Sequence, residues 1–170
     1  MRIALMVLVL SMAARAQQWP FPYGAGVSVE AARKIAAAAV AEAKKNGWKV
    51  AAAIVDPSGT LVFYEKMDDT QTGSAHVAIE KARSSALFRR PTKTFEDGVN
   101  GGKTNLLGLP GAVPLEGGLP LVVEGRVIGA VGVSGATSQQ DGVCAKAGAE
   151  TVGPVPNPGA PPPAAPPAKK

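Results

Sequence analysis

Residues 117–135, GGLPLVVEGRVIGAVGVSG, constrain the fold more than any other part of the chain. Leu121, Val122 and Val123 precede a Glu124-Gly125 pair, and Val127, Ile128, Val131 and Val133 follow it. β-Branched residues on both sides of a Glu-Gly pair predict two strands joined by a tight hairpin, with Gly125 supplying a positive φ. The alternation is imperfect, because Val127, Val131 and Val133 fall on one face while Ile128 and Ala130 fall on the other. A strand that is apolar on both faces is one covered on both faces. The hairpin is therefore expected inside the sheet.

The two ends of the chain read differently from its body. Arg2, an apolar run from Ile3 to Met12 and Ala14-Arg15-Ala16 have the layout of a cleaved secretory leader, residues 1–16. The run is shorter than the roughly 20 residues a spanning helix needs, so the expected product is exported, periplasmic or secreted, with no stable membrane anchor. Residues 153–170 hold eight of the fifteen prolines and read as a Pro/Ala-rich tail without packed structure. Between them lies one domain, 17–152. The chain's formal +5 charge depends on two arginines in the leader and two lysines in the tail, and the domain itself has 14 basic against 13 acidic residues. A nearly neutral body lacks the basic footprint of a nucleic-acid-binding protein. Cys144 is the only cysteine, so stability has to come from packing and not from an internal disulfide.

Within the domain, residues 17–27 form a Pro-, Gly- and aromatic-rich lead-in, held down by Trp19, Phe21 or Tyr23. Ser28 caps a helix over 29–46 whose stripe is Val29, Ala32, Ile35, Ala36, Ala39, Val40 and Ala43, with Gly47 as its stop. Strands are expected over 49–55 and 60–67 around the turn Asp56-Pro57-Ser58-Gly59. A second helix, 75–88, has Ser74 as its cap and Ala75, Ala78, Ile79, Ala82 and Ala86 as its stripe; His76 lies off the stripe beside Glu80 and Arg83. Pro91 ends it. Residues 94–109 read as a loop with one helical turn near Phe95, 110–115 as a short edge strand, and 139–151 as a third helix capped by Ser138. Two hairpins and three helices define an α/β domain of the α+β kind, with a mainly antiparallel sheet.

No catalytic constellation emerges. Gly102-Lys103-Thr104 ends like a phosphate-binding loop, but Asp97 stands where that loop needs its first glycine. Gly129, Gly132 and Gly135 are spaced GxxGxxG and sit in a hairpin, not in a dinucleotide-binding crossover. Ser134 lacks the GxSxG frame, and one His with one Cys cannot build the usual zinc cluster. Asp68 and Asp69 read as a solvated loop.

Taken in order, Ala53-Ile54-Val55-Asp56 before Ser58-Gly59, Lys66-Met67-Asp68, Lys81-Ala82, Ser85-Ala86, Pro91-Thr92, Gly117-Gly118-Leu119-Pro120, 127–135, Asp141 and Ala147-Gly148 resemble the GlcG/HbpS family. This is the haem-degrading domain, also found as the C-terminal domain of PduO-type proteins. The resemblance spans 28–152 and implies a profilin-like fold with a central sheet of about five strands, a homo-oligomer, and haem or a related tetrapyrrole as ligand. Asp69-Thr70 replace an expected Gly-Ala, Lys66 an Arg and Ser85 a Thr. Haem needs an apolar slot, an axial donor and cations for its propionates. The candidate iron donors are His76, Met67, Tyr64 and Cys144, with His76 the best donor type; Lys81, Arg89 and Arg90 are the candidate cations. The leading expectation is an exported haem-binding protein for sequestration, sensing or slow degradation. A cofactor-free oligomeric accessory subunit and a small-metabolite enzyme using the 98–118 loops are the alternatives.

Overall fold

The structure, a computed structural model, describes residues 20–153. The expected leader lies outside the described residues, as do Trp19 and the tail beyond Gly153. The elements run α1 (Val29–Lys45), β1 (Ala51–Val55), β2 (Leu61–Lys66), α2 (Ser74–Phe88), α3 (Lys93–Asn100), a 3-10 turn (Thr104–Gly108), β3 (Gly118–Val123), β4 (Arg126–Ser134) and α4 (Ser138–Ala149). One antiparallel sheet has the order β2-β1-β4-β3. The fold is α+β, as expected, with four strands in place of five.

The expected first helix forms with its cap: the Ser28 hydroxyl accepts from Ala31 N at 3.2 Å, satisfying an amide that the first turn leaves without a partner. Its buried stripe, Ala32, Ile35, Ala36, Ala39, Val40 and Ala43, packs with α4 on one face of the sheet, over Val50, Ala52, Ile54, Val131 and Val133. On the other face α2 lays Ala78, Ala82 and Ala86 on Ala51, Ala53, Val55 and Ala130. The central pair β1 and β4 is thus covered on both sides, which is why its sequence carries no clean alternation.

Two bulges adjust the faces. In β4 the register shifts opposite Leu121 and Val122, and Ile128 joins Val131 and Val133 on the α1–α4 side, not Ala130 as strict alternation requires. In β2 the shift opposite Ile54 and Val55 turns Val62 and Phe63 together toward the α1 side, because an extra residue in a ladder breaks the period of two. The β3–β4 turn has φ 49° at Glu124 and 70° at Gly125. Two successive left-handed residues are those of a type I′ hairpin.

Other boundaries moved. Residues 110–115 form no strand; α3 is a full eight-residue helix where one turn was expected. α4 is capped by Thr137, one residue earlier than predicted, in a capping box with Gln140. Ser74 lies inside α2, after Gly73 at the cap position. The lead-in is strapped on as expected. Because β4 outruns β1, residues 22–27 take β1's place beside its start, with Val127 N donating to Pro22 O and Val27 N to Ile128 O, both near 2.9 Å.

α2 lies very close on β4 and β3. Gly118 and Gly132 face each other across the two strands. A Cβ at Gly132 would collide with Ala78 O and Ala82 N, and one at Gly118 with Lys81 O. All three obstacles are helix backbone and cannot rotate aside. Gly132→Ala is expected to cost about 2–4 kcal/mol, the upper range for overpacking a core; urea denaturation of the variant checks it.

Candidate functional site

α2 carries His76 and Lys81, with Arg89 and Arg90 just past its end, and packing sends the two helical residues to different faces. Lys81 points inward. Its Nζ donates to Asp141 Oδ2 on α4 at 2.8 Å and to Val133 O on β4 at 3.1 Å, and the two side chains are 2% and 3% exposed. Asp141 Oδ1 accepts from Ala136 N at 3.0 Å. The expectation that Lys81 meets a ligand's propionates is therefore corrected: its charge is spent inside the fold, joining α2, α4 and the end of β4. Gly117 is part of the same arrangement, since a Cβ there would meet Val133 O, the Asp141 side chain and Lys81 Nζ.

Arg89 and Arg90 are also engaged. Arg89 ends α2 in a left-handed conformation. Its guanidinium donates to Phe21 O at 3.0 Å and lies 4.9 Å over the Tyr23 ring, while the Tyr23 hydroxyl reaches the carbonyls of Ala86 and Leu87. Arg90 stands 5.7 Å over the Phe95 ring and donates to Phe88 O. These contacts close the end of α2 and fasten the lead-in strap. His76 and Arg89 are thirteen residues apart on α2, about 20 Å at helical rise, so they do not converge on one small site.

The four candidate donors separate as clearly. Met67 packs into the α1–α4 core, on the side of the sheet away from α2. Cys144 is buried, and burial together with Asp141 and Glu42 pushes its thiol up to about 12; a thiol so held stays protonated. Burial also raises the Tyr64 phenol. His76 alone stands exposed. Glu80, expected beside it, instead pairs with Arg83 at 2.7 Å.

Around His76 the structure assembles a surface that sequence reasoning missed. α2 lies over β4, β1 and β3 and covers the facing side of the edge strand β2 only in part, through Ile79. The strand register turns Leu61, Tyr64 and Lys66 to that side, opposite Val55, Ala53 and Ala51. The helix flank above them carries Ile79, packed with Tyr64 on the same alanine cluster. Its rim carries His76, Arg83 and Leu87, at i, i+7 and i+11 on one helical stripe. Arg83 Nε donates to Gly59 O at 3.2 Å in the β1–β2 turn, and Leu87 also borders Gly59. The result is a groove about 16 Å long at helical rise, apolar along its floor and with exposed Leu61 and Leu87 at the turn end. The Tyr64 hydroxyl oxygen is buried with no hydrogen-bond partner among the described residues. The hydroxyl is sealed beneath the protein surface, so it is the ring of Tyr64 and not its oxygen that faces the groove.

The sequence departures are accounted for by the scaffold. Asp69 adopts φ 64°, the left-handed region in which glycine is favoured. The Thr70 hydroxyl donates to Val50 O at 3.2 Å, and Ser85 Oγ to Arg90 O at 2.9 Å. On the far side of α2, the Glu96 carboxylate accepts from Glu116 N and ties α3 to the loop before β3. Burial raises the Glu116 carboxyl, against the pull of Lys93. Among the described residues no three His, Cys, Asp or Glu side chains come together to hold a metal ion, and no helix is long and apolar enough to cross a membrane.

A four-stranded antiparallel sheet between an α1–α4 layer and a single α2, with an open groove along β2, defines an α+β domain of the profilin-like kind. The family model described as "Haem degrading protein HbpS-like" matches residues 27–150, and the chain belongs to that family. It is 47% identical to Protein GlcG of Escherichia coli strain K12 over 108 residues, which is 64% of this chain and 81% of GlcG. The crystal structure of HbpS superposes with a TM-score of 0.71 at 31% identity, covering 79% of this chain and 95% of HbpS. That of a PduOC–haem complex gives 0.68 at 28% identity, over 77% of this chain and 99% of PduOC.

The buried pair gives a test with a defined pH dependence. Burial raises the Asp141 carboxyl, and the Lys81 ammonium and the Ala136 and Gly135 amides pull it back. Removing the ammonium raises it further. A carboxyl raised on folding binds more protons folded than unfolded, so its penalty grows as pH rises from the unfolded value through the folded one. Lys81→Met is expected to lose about 3–5 kcal/mol at neutral pH, the cost of an unpaired buried charge. The deficit should shrink toward acid, and adding Asp141→Leu should recover part of it. Urea denaturation at several pH values checks all three.

Proposed function

We propose that this chain is an exported haem-binding protein that sequesters, senses or slowly degrades haem and works as a homo-oligomer. The observation that carries the reading is the α2–β2 groove in a member of the HbpS-like family, one of whose structural relatives is a haem complex. The groove's chemistry suits a flat amphipathic ring. Tyr64, Ile79, Leu61 and Leu87 offer apolar and aromatic surface. His76 offers an exposed imidazole on the rim. Met67, Cys144 and Lys81 are withdrawn by packing, and Arg89 and Arg90 stand about 20 Å or more from His76 at helical rise, past the end of α2. Haem, when bound, supplies a redox-active iron. The chain would offer the His76 nitrogen to the iron and the apolar side chains of the β2 floor to the ring.

Titration of the purified protein with hemin is expected to give a saturable Soret shift. His76→Ala should weaken binding about tenfold or more, as loss of an iron ligand does, while thermal unfolding of the apoprotein stays unchanged. A spectrum unaltered by the wild-type protein would sink the reading. Export has its own check: intact-mass analysis of the protein recovered from the periplasm or medium is expected to show a chain beginning at Gln17.

A second reading, an assembly surface without cofactor, is favoured by the exposed side chains of Leu107, Leu109 and Leu115 in the 104–115 segment. Leu107→Glu is expected to dissociate an oligomer built there, with sedimentation velocity as the measurement, and on this reading hemin gives no Soret shift with either the wild-type or the variant chain.

A further inference from the structure

We propose that Arg83 receives the ligand's carboxylates, so that the groove selects tetrapyrroles with free acid arms over their uncharged counterparts. The inference rests on the haem reading above and names the cation which that reading lacks. A propionate needs a cation at the surface, and the sequence offers Lys81, Arg89 and Arg90 for the purpose. The fold places all three elsewhere: Lys81 is buried on Asp141 and Val133, while Arg89 and Arg90 lie thirteen and more residues beyond His76, about 20 Å at helical rise, where they hold Phe21, Tyr23, Phe88 and Phe95.

Arg83 remains, and it is placed differently. It stands on the stripe of His76 and Leu87, along the rim of the groove, with its side chain 45% exposed. Seven residues separate it from His76, about 10 Å along the helix. That span is comparable with the reach from the centre of a porphyrin ring to the end of a propionate arm. Its Nε is held by Gly59 O at 3.2 Å and its Nη1 by Glu80 at 2.7 Å. A guanidinium has five N–H donors in a fixed fork, so these two bonds orient the head and leave donors for a carboxylate. The competing Glu80 contact is an exposed i,i+3 pair, a kind that contributes little and exchanges cheaply. Lys66 does not serve the same edge. It lies five strand residues beyond Leu61, about 17 Å from the turn end, and donates to Thr70 O.

The test compares hemin with hemin dimethyl ester, which keeps the ring and iron and lacks free carboxylates. The wild-type chain is expected to bind hemin about tenfold more tightly than the ester, in line with a charge-assisted bidentate contact. Arg83→Gln should abolish that preference, weakening hemin and leaving the ester and the Soret position unchanged. Arg83→Lys should restore part of it. Glu80→Gln should tighten hemin about twofold by removing the competing carboxylate, an effect that a merely structural role for Arg83 would not produce. Equal wild-type affinity for both ligands, or an Arg83→Gln variant that still prefers hemin, overturns the assignment and leaves the haem reading standing. Failure of the wild-type protein to bind either ligand overturns the haem reading itself.

Discussion

The arrangement depends on how closely α2 lies against the sheet. Gly118 and Gly132 meet across β3 and β4, and the backbone of α2 at Ala78, Lys81 and Ala82 sits directly on them. Alanines at 78, 82 and 86 complete the contact. An interface made of backbone and methyl groups has almost no side chain to rearrange, so a single added methyl must displace a helix. The same nearness carries the Lys81 ammonium across to Asp141, where a buried charge has found the partner it requires.

That close seating also creates the candidate site. A helix placed over β4 and its two neighbours can cover the edge strand β2 only in part. The face of β2 that carries Leu61, Tyr64 and Lys66 is therefore left beside the outer flank of α2. Side chains that the helix directs inward become structural, and those directed to the β2 flank or outward become available. His76 and Lys81, five residues apart, thus have opposite fates. Of the residues that carry the sequence resemblance, Lys81, Ala82, Gly117, Gly118 and Asp141 lie at the inner contact. His76, Tyr64, Ile79 and Arg83 lie outside that set, so most of the residues that carry the resemblance are not the ones proposed to touch a ligand.

The central hairpin, the first helix with its Ser28 cap, the β1–β2 hairpin and the existence of α2 were all legible in the chain, because each is set by local periodicity and turn chemistry. The 93–100 helix was not, since Asp97, Gly98 and Asn100 are weak helix formers and Phe95 alone buries itself there. The face of Ile128 in β4 was misread because a bulge intervened, since one extra residue reverses an alternation that sequence spacing assumes unbroken. In the site, His76 was legible as an exposed imidazole. Lys81 was read as a surface cation because lysine is seldom buried, and Asp141, sixty residues away, gave no local sign of being its partner.

The sequence by itself determined the class of fold and the family, because spaced glycines, β-branched runs and small-residue helix stripes act through neighbouring residues and strand pairing. Only the tertiary structure decided which polar groups remain available. That choice depends on long-range contacts: Lys81 with Asp141, Arg89 with Tyr23, and the position of α2 relative to β2. Burying a charge is tolerated only where a distant element supplies its counter-charge, and a groove exists only where two elements meet in part. The chain names the residues 117–135 that organise the sheet, and the packing of α2 upon them determines which side chains face a ligand.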